Sequence, residues 1–168
     1  VGERLEIEEE CTDPAASYGD SDSLRTTKTY YGSGATNVLR GRLKSVEYPD
    51  GRLDTYSYES GTYTTNANPA LNSFTPSAGG DAWRVTVTHG TTNTTAGVAY
   101  KSTRERTVTD EYNNEVLKET EVYTGSTYER IGWEVRTYDL FAHATKVVRS
   151  NGEILEAWIS EWVRFYGP

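Results

Sequence analysis

The stretch Gly41-Arg42-Leu43-Lys44-Ser45-Val46-Glu47-Tyr48-Pro49-Asp50-Gly51-Arg52-Leu53-Asp54-Thr55-Tyr56-Ser57-Tyr58 reads as a β-hairpin closed by Asp50-Gly51 and followed by aromatic residues. An Asp-Gly pair supplies the positive φ values of a type I′ turn, whose twist matches that of its strands. The stretch has an echo. In Tyr138-Asp139-Leu140-Phe141-Ala142-His143-Ala144-Thr145-Lys146-Val147-Val148-Arg149-Ser150-Asn151-Gly152 the turn glycine again lies ten residues after a small residue, and Trp158 follows on the outgoing side. Asp50, Gly51, Asn151 and Gly152 are therefore expected at structural turns.

Working outward, the 168 residues fit one domain, or one segment of a larger array. Only 35% of them are hydrophobic and mean hydropathy is -0.70, so the apolar burden falls on 13 Tyr, 4 Trp and 3 Phe. Tyrosine at that level beside abundant threonine favours pleated, half-solvated sheets, where a ring packs on a neighbour and its hydroxyl reaches water. A helical bundle is disfavoured.

A net charge of -8 and a pI near 4.8 argue against a nucleic-acid partner, since phosphate binding draws most of its affinity from a basic stripe. The basic residues are scattered. No run of apolar residues is long enough to insert in a membrane as a helix. The single cysteine, Cys11, has no internal disulfide partner. Methionine is missing throughout, position 1 included, which predicts a processed or excised chain and fits export to the cell surface or the extracellular space.

Strand periodicity recurs along the chain. Residues 3–10 set Leu5 and Ile7 in alternation with charges, as in a first strand with one face in the core. Residues 24–31 resume as a Thr and Tyr strand, and 42–48 pair with 52–58 across Asp50-Gly51. Residues 62–81 are unpatterned and predict a functional loop or an insertion between repeats. Further strands are expected at 83–89, 98–109, 115–123, 127–138, 146–150 and from 153 to about 162. Ile154, Trp158 and Trp162 are spaced by four, as on a helix, but Asn151-Gly152 before them decides for a strand. The expected fold is all-β, an antiparallel meander of long hairpins.

A weak internal repeat runs through the pattern. With Gly41, Asn113 and Ala142 set as equivalent, the first and third copies place a turn glycine ten residues on, and the middle copy reaches Thr124-Gly125 after an excess of two. The chain is thus one β-rich repeat domain over 1–168, with hairpin units at 24–63, 98–125 and 127–162. A single hairpin cannot bury its inward face alone, which is why such units occur in series.

Tyr138-Asp139 followed by Ala142-His143, the Gly41-Arg42-Leu43 start, the Pro49-Asp50-Gly51-Arg52 turn and the Tyr56-Ser57-Tyr58 exit resemble the YD repeats of RHS-type proteins. The resemblance implies a spiral, shell-like sheet in a large exported or surface protein, of which the best-known members enclose a toxin. The first unit has Asn37 and Val38 where Tyr-Asp would stand, the second has Thr109-Asp110, and the third has Ala142-His143 in place of Gly-Arg. The motif that closes the shell is missing from these residues.

Chemistry-bearing clusters are sparse. His89 and His143 have no companion at metal-ligand spacing, no cofactor motif is found, and Cys11 lacks the surroundings of a nucleophile. Glu8-Glu9-Glu10 and Asp20-Ser21-Asp22 lack the ordered spacing of a calcium loop. Tyr56, Tyr58, Trp83, Trp133, Trp158 and Trp162 form either an aromatic spine or a face for stacking on glycans, the spine being favoured because aromatic cross-strand pairs ordinarily stabilise sheets. The expected function is a non-catalytic structural or assembly module, with a glycan-binding module and a segment of a toxin-enclosing shell as alternatives. Leu5, Ile7 and Ile154 mark the expected assembly edges, to be covered by adjacent repeats of a longer chain or by copies of the chain itself in a filament.

Overall fold

The computed structural model describes residues 3–10, 15, 17, 19, 23–93 and 98–156. Its strands are β1 (Arg4–Glu10), β2 (Leu24–Tyr30), β3 (Leu43–Glu47), β4 (Arg52–Thr64), β5 (Ser73–Pro76), β6 (Ala82–Asn93), β7 (Val98–Thr109), β8 (Glu115–Tyr123), β9 (Tyr128–Tyr138), β10 (Ala144–Arg149) and β11 (Ile154–Glu156). They form one open antiparallel sheet in the order β1-β2-β3-β4-β6-β7-β8-β9-β10-β11, with β5 paired to β4 off that path. This is the expected all-β meander. The one helical element among the described residues is a single 3-10 turn over Pro69–Leu71. The largest shifts are at β4, which runs on to Thr64, and β6, which runs to Asn93; β10 begins two residues early at Ala144, and the stretch expected as loop contains β5. Trp158 and Trp162 lie outside the described residues.

The hairpin ends share one solution. Tyr48 N–H donates to the Arg52 carbonyl at 2.9 Å and Gly51 N–H to the Tyr48 carbonyl at 3.0 Å, with Gly51 at φ 79°. Asp50 does not have positive φ, so the expected type I′ turn is replaced by a three-residue loop closed by a left-handed residue. Pro49 explains the difference, because its ring fixes φ near -65° and suits the second position of a type I turn. The same pair of bonds closes Asp110 to Asn114, Asp139 to His143 and Arg149 to Glu153, with Asn113 at φ 65°, Ala142 at 62° and Gly152 at 87° in the left-handed position. It also closes Tyr31 to Arg42 across ten residues, with Gly41 at 77°. The residues equated by the sequence repeat, Gly41, Asn113 and Ala142, thus hold one backbone role. In the first unit, however, the residue bonded as Asp110 and Asp139 are is Tyr31, so Tyr30-Tyr31 occupies the place expected of Asn37-Val38.

The chain divides into two compact units. Unit 1 comprises Val1–Tyr58, Thr86–Arg104 and Tyr123–Thr127. In it β1 pairs β2 with Leu5 opposite Thr29 and Ile7 opposite Thr27, and β2 pairs β3 with Thr27 opposite Glu47. Leu5 remains 57% exposed, contrary to the expected core face, whereas Ile7, also opposite a threonine, is half-buried. Among the described residues Val46 and Leu53 are the buried apolar side chains of this unit. Tyr58 donates to the Leu43 carbonyl at 3.0 Å, meets Tyr31 edge to face at 6.2 Å, and lies under the Arg42 guanidinium.

Unit 2 comprises Glu59–Val85, Glu105–Val122 and Tyr128–Pro168. Its core is Ala82, Val108, Val116, Leu117 and Val135, with Tyr63, Phe74, Trp133 and Tyr138 packed against it. A Cβ at Gly61 would collide with the Thr75 carbonyl and the Phe74 ring, and one at Gly80 with the backbone of Gly61. The missing side chains let β5 close on β4 while the Phe74 ring covers the Gly61 backbone. Arg84 stacks on Phe74 at 4.6 Å and donates to Glu59 at 2.6 Å.

Urea unfolding measures the left-handed positions directly. Gly51→Val should cost about 1–3 kcal/mol, because nothing crowds the site and the whole penalty is backbone strain. Ala142→Gly should instead stabilise by about 0.5–1 kcal/mol, the left-handed cost to an L-residue less the added freedom of glycine in the unfolded chain.

Candidate functional site

Two hairpin ends of unit 2 are held by aspartate side chains. Asp110 Oδ1 accepts Tyr112 N–H at 3.0 Å and Asn114 N–H at 2.8 Å, and its Oδ2 accepts Asn114 Nδ2 at 3.0 Å. Asp139 repeats the scheme with Phe141 N–H and His143 N–H, each at 2.9 Å, and its Oδ2 lies 3.2 Å from His143 Nδ1. A short carboxylate placed before a tight loop reaches the N–H groups two and four residues on, which otherwise face solvent unpaired. These bonds, with the His143 N–H foremost, hold the Asp139 carboxyl below its ordinary range.

A third loop is built from asparagines. Asn66 Oδ1 accepts Asn68 N–H at 2.9 Å, and Asn68 Oδ1 caps the 3-10 turn through Ala70 N–H at 3.1 Å, with Pro69 just inside the turn. Asn72, 5% exposed, closes the loop: its Oδ1 accepts Asn66 N–H at 2.7 Å and its Nδ2 donates to the Tyr63 hydroxyl at 2.7 Å. That hydroxyl lies 3.5 Å from the Val116 carbonyl on β8, and burial pushes the Tyr63 phenol up.

Between these three loops lies an open groove of about 920 Å³. Tyr63, Tyr138 and Pro69 supply flat apolar surface, Tyr112 stands 75% exposed at the rim, and Leu140 at the tip of the 139–143 turn is fully exposed. Asn66, Asp110, Asn114 and Asp139 supply the oxygens and amide nitrogens. Tyr138 is fixed by its hydroxyl, which donates to the Glu115 carbonyl at 2.9 Å. The cations of the lining are occupied, Arg136 by Glu115 and Glu134 and Lys146 by Glu156.

The residues singled out from the sequence are distributed differently. Gly51 and Gly152 close turns, and Asp50 and Asn151 each accept the N–H two residues on, from Arg52 and Glu153. Tyr56 and Tyr58 belong to unit 1, where burial pushes both phenols up and Tyr58 is enclosed by Tyr31 and Arg42. Trp83 is half-buried on β6, and Trp133 packs against the unit 2 core. Ile7 is half-buried and Ile154 is 57% exposed. None of these lines the groove. The sequence marks Asp110, Tyr138, Asp139 and Ala142 only as repeat positions and 62–81 only as an unpatterned stretch, and gives no sign that they share a groove.

Among the described residues no group of three His, Cys, Asp or Glu is placed to hold a metal ion, and no helix is long and apolar enough to cross a membrane. Compared with models of protein families, with curated proteins and with solved structures, the chain finds no match.

Asp110→Ala should cost about 1–3 kcal/mol by leaving two loop N–H groups and the Asn114 amide without their acceptor, measured by urea unfolding. A pH series gives a second test. The Asp50, Glu134 and Asp139 carboxyls are all held below their ordinary range, Asp50 and Glu134 chiefly by Arg52 and Arg149. A carboxylate with a lowered folded value contributes its stability above its unfolded value and loses it as pH falls through the folded one. The urea midpoint should therefore vary little, through these groups, from neutrality down to about pH 4 and decline below it. In Asp139→Ala the decline should be shallower.

Proposed function

We propose that the chain is a non-catalytic structural module, a strip of sheet extended at its edges by adjacent repeats of a longer chain or by further copies of itself, in a protein exported to the cell surface or beyond. The observation that supports this reading is the recurrence of one hairpin closure, the same two main-chain bonds around a left-handed residue, five times along an open meander. A chain built by repeating one closure can be lengthened by repeating it again. Asp110 and Asp139, which the likeness to YD repeats singles out, both staple such a closure, in keeping with kinship to that family.

The outer strands suit this role. β1 is followed on one side only by β2 among the described residues, and its four glutamates Glu6, Glu8, Glu9 and Glu10 discourage random pairing while leaving Leu5 and Ile7 to a specific neighbour. At the other end Ile154 and Leu155 are 57% and 47% exposed.

Light scattering over a concentration series, with negative-stain microscopy, tests the self-assembling form. Association should grow with concentration and be weakened by the double change Ile154→Lys and Leu155→Lys. A folded monomer at every concentration would exclude copies of itself as the partner and leave neighbouring repeats of a longer chain.

A further inference from the structure

We propose that the groove of unit 2 binds a short neutral oligosaccharide. Its volume of about 920 Å³ falls within the range of small-molecule sites, which are largely apolar with a few placed polar groups. The chemistry of the walls narrows the ligand. Tyr63, Tyr112, Tyr138 and Pro69 present flat apolar surface, the kind that packs on the C–H face of a pyranose ring, and the hydroxyls of Tyr63 and Tyr138 are held by the protein itself, which fixes those rings in place.

The polar groups are already partly assigned, and what remains is informative. Asp110 and Asp139 spend their oxygens on loop N–H groups, and Arg136 and Lys146 are neutralised by glutamates. A phosphate therefore meets no free cation there, only two carboxylates that repel it, and among the described residues no three ligands are grouped for a metal ion. Left over are the amide hydrogens of Asn66, whose Oδ1 is held by Asn68 N–H, and the Oδ1 of Asn114, whose Nδ2 is held by Asp110. One side thus offers a donor and the other an acceptor, a match for a sugar hydroxyl that does both. An extended peptide finds less to bind, because β8, β9 and β10 each have a neighbouring strand on both sides and their main chain is committed.

The experiment is a printed array of neutral glucans, galactans, mannans and xylans probed with labelled protein, followed by titration of the best-retained oligosaccharide into three proteins. These are the unaltered chain, Tyr112→Ala, which removes an exposed ring, and Asn66→Asp, which keeps the loop-holding Oδ1 and removes the amide hydrogens. Unfolding curves establish that each variant is folded. The expected result is retention of at least one neutral oligosaccharide, with each variant binding it about tenfold more weakly, the loss of roughly one contact. No retention above background, undiminished binding by both folded variants, or a preference confined to sulfated, sialylated or uronic sugars on a companion array would overturn the assignment.

Discussion

A meander of antiparallel strands stands or falls on how the chain reverses, because each reversal must return the next strand in register while leaving no main-chain N–H or C=O unpaired. Here the burden rests on a left-handed residue immediately before the outgoing strand. It turns its own N–H back to the carbonyl of the last incoming residue and lets that residue's N–H reach the first outgoing carbonyl. A slip by one position would exchange the two faces of every following strand. In two of the five closures the left-handed residue is not glycine, and in both an aspartate side chain binds the loop N–H groups and fixes the conformation that glycine would adopt freely.

With so few aliphatic residues, much of the work of holding the strands together passes to tyrosine and to paired charges. Tyr31, Tyr58 and Tyr138 each send a hydroxyl to a main-chain carbonyl, so one side chain covers apolar surface and also bonds another segment of backbone. Charge ladders such as Arg149–Glu134–Arg136–Glu115 run across β8, β9 and β10. Partly exposed pairs of this kind are screened by solvent and contribute on the order of 1 kcal/mol each, and their larger effect is on register, since a slip sets like charges opposite one another. Glu121, 5% exposed and 3.0 Å from Arg106, is different: its charge is sheltered, so the pair is costly to break.

Much of the sheet was legible, because alternation and turn residues are local signals. The spans of β7 and β8, and the shared role of Gly41, Asn113 and Ala142, can be read from the order of residues alone. The turn type at Asp50 was misread because Asp-Gly is ambiguous until Pro49 is weighed with it. Tyr31 was missed because ten residues separate it from its closing partner and no spacing rule reaches that far. The groove was illegible for a related reason. Its parts come from three separate loops, and Asn72, the residue that organises one of them, acts through Asn66, Tyr63 and so β8, contacts that carry no periodic trace. Of the aromatic residues singled out in the sequence, Tyr58 and Trp133 are taken up by packing within their units, away from the groove.

The closure from Tyr31 to Arg42 makes the same two bonds as that from Asp139 to His143, though ten residues separate the first pair and three the second. The latch is thus indifferent to what it encloses. An insertion or deletion inside such a loop would leave the strands on either side where they are, so loop length and chemistry are uncoupled from the frame that carries them.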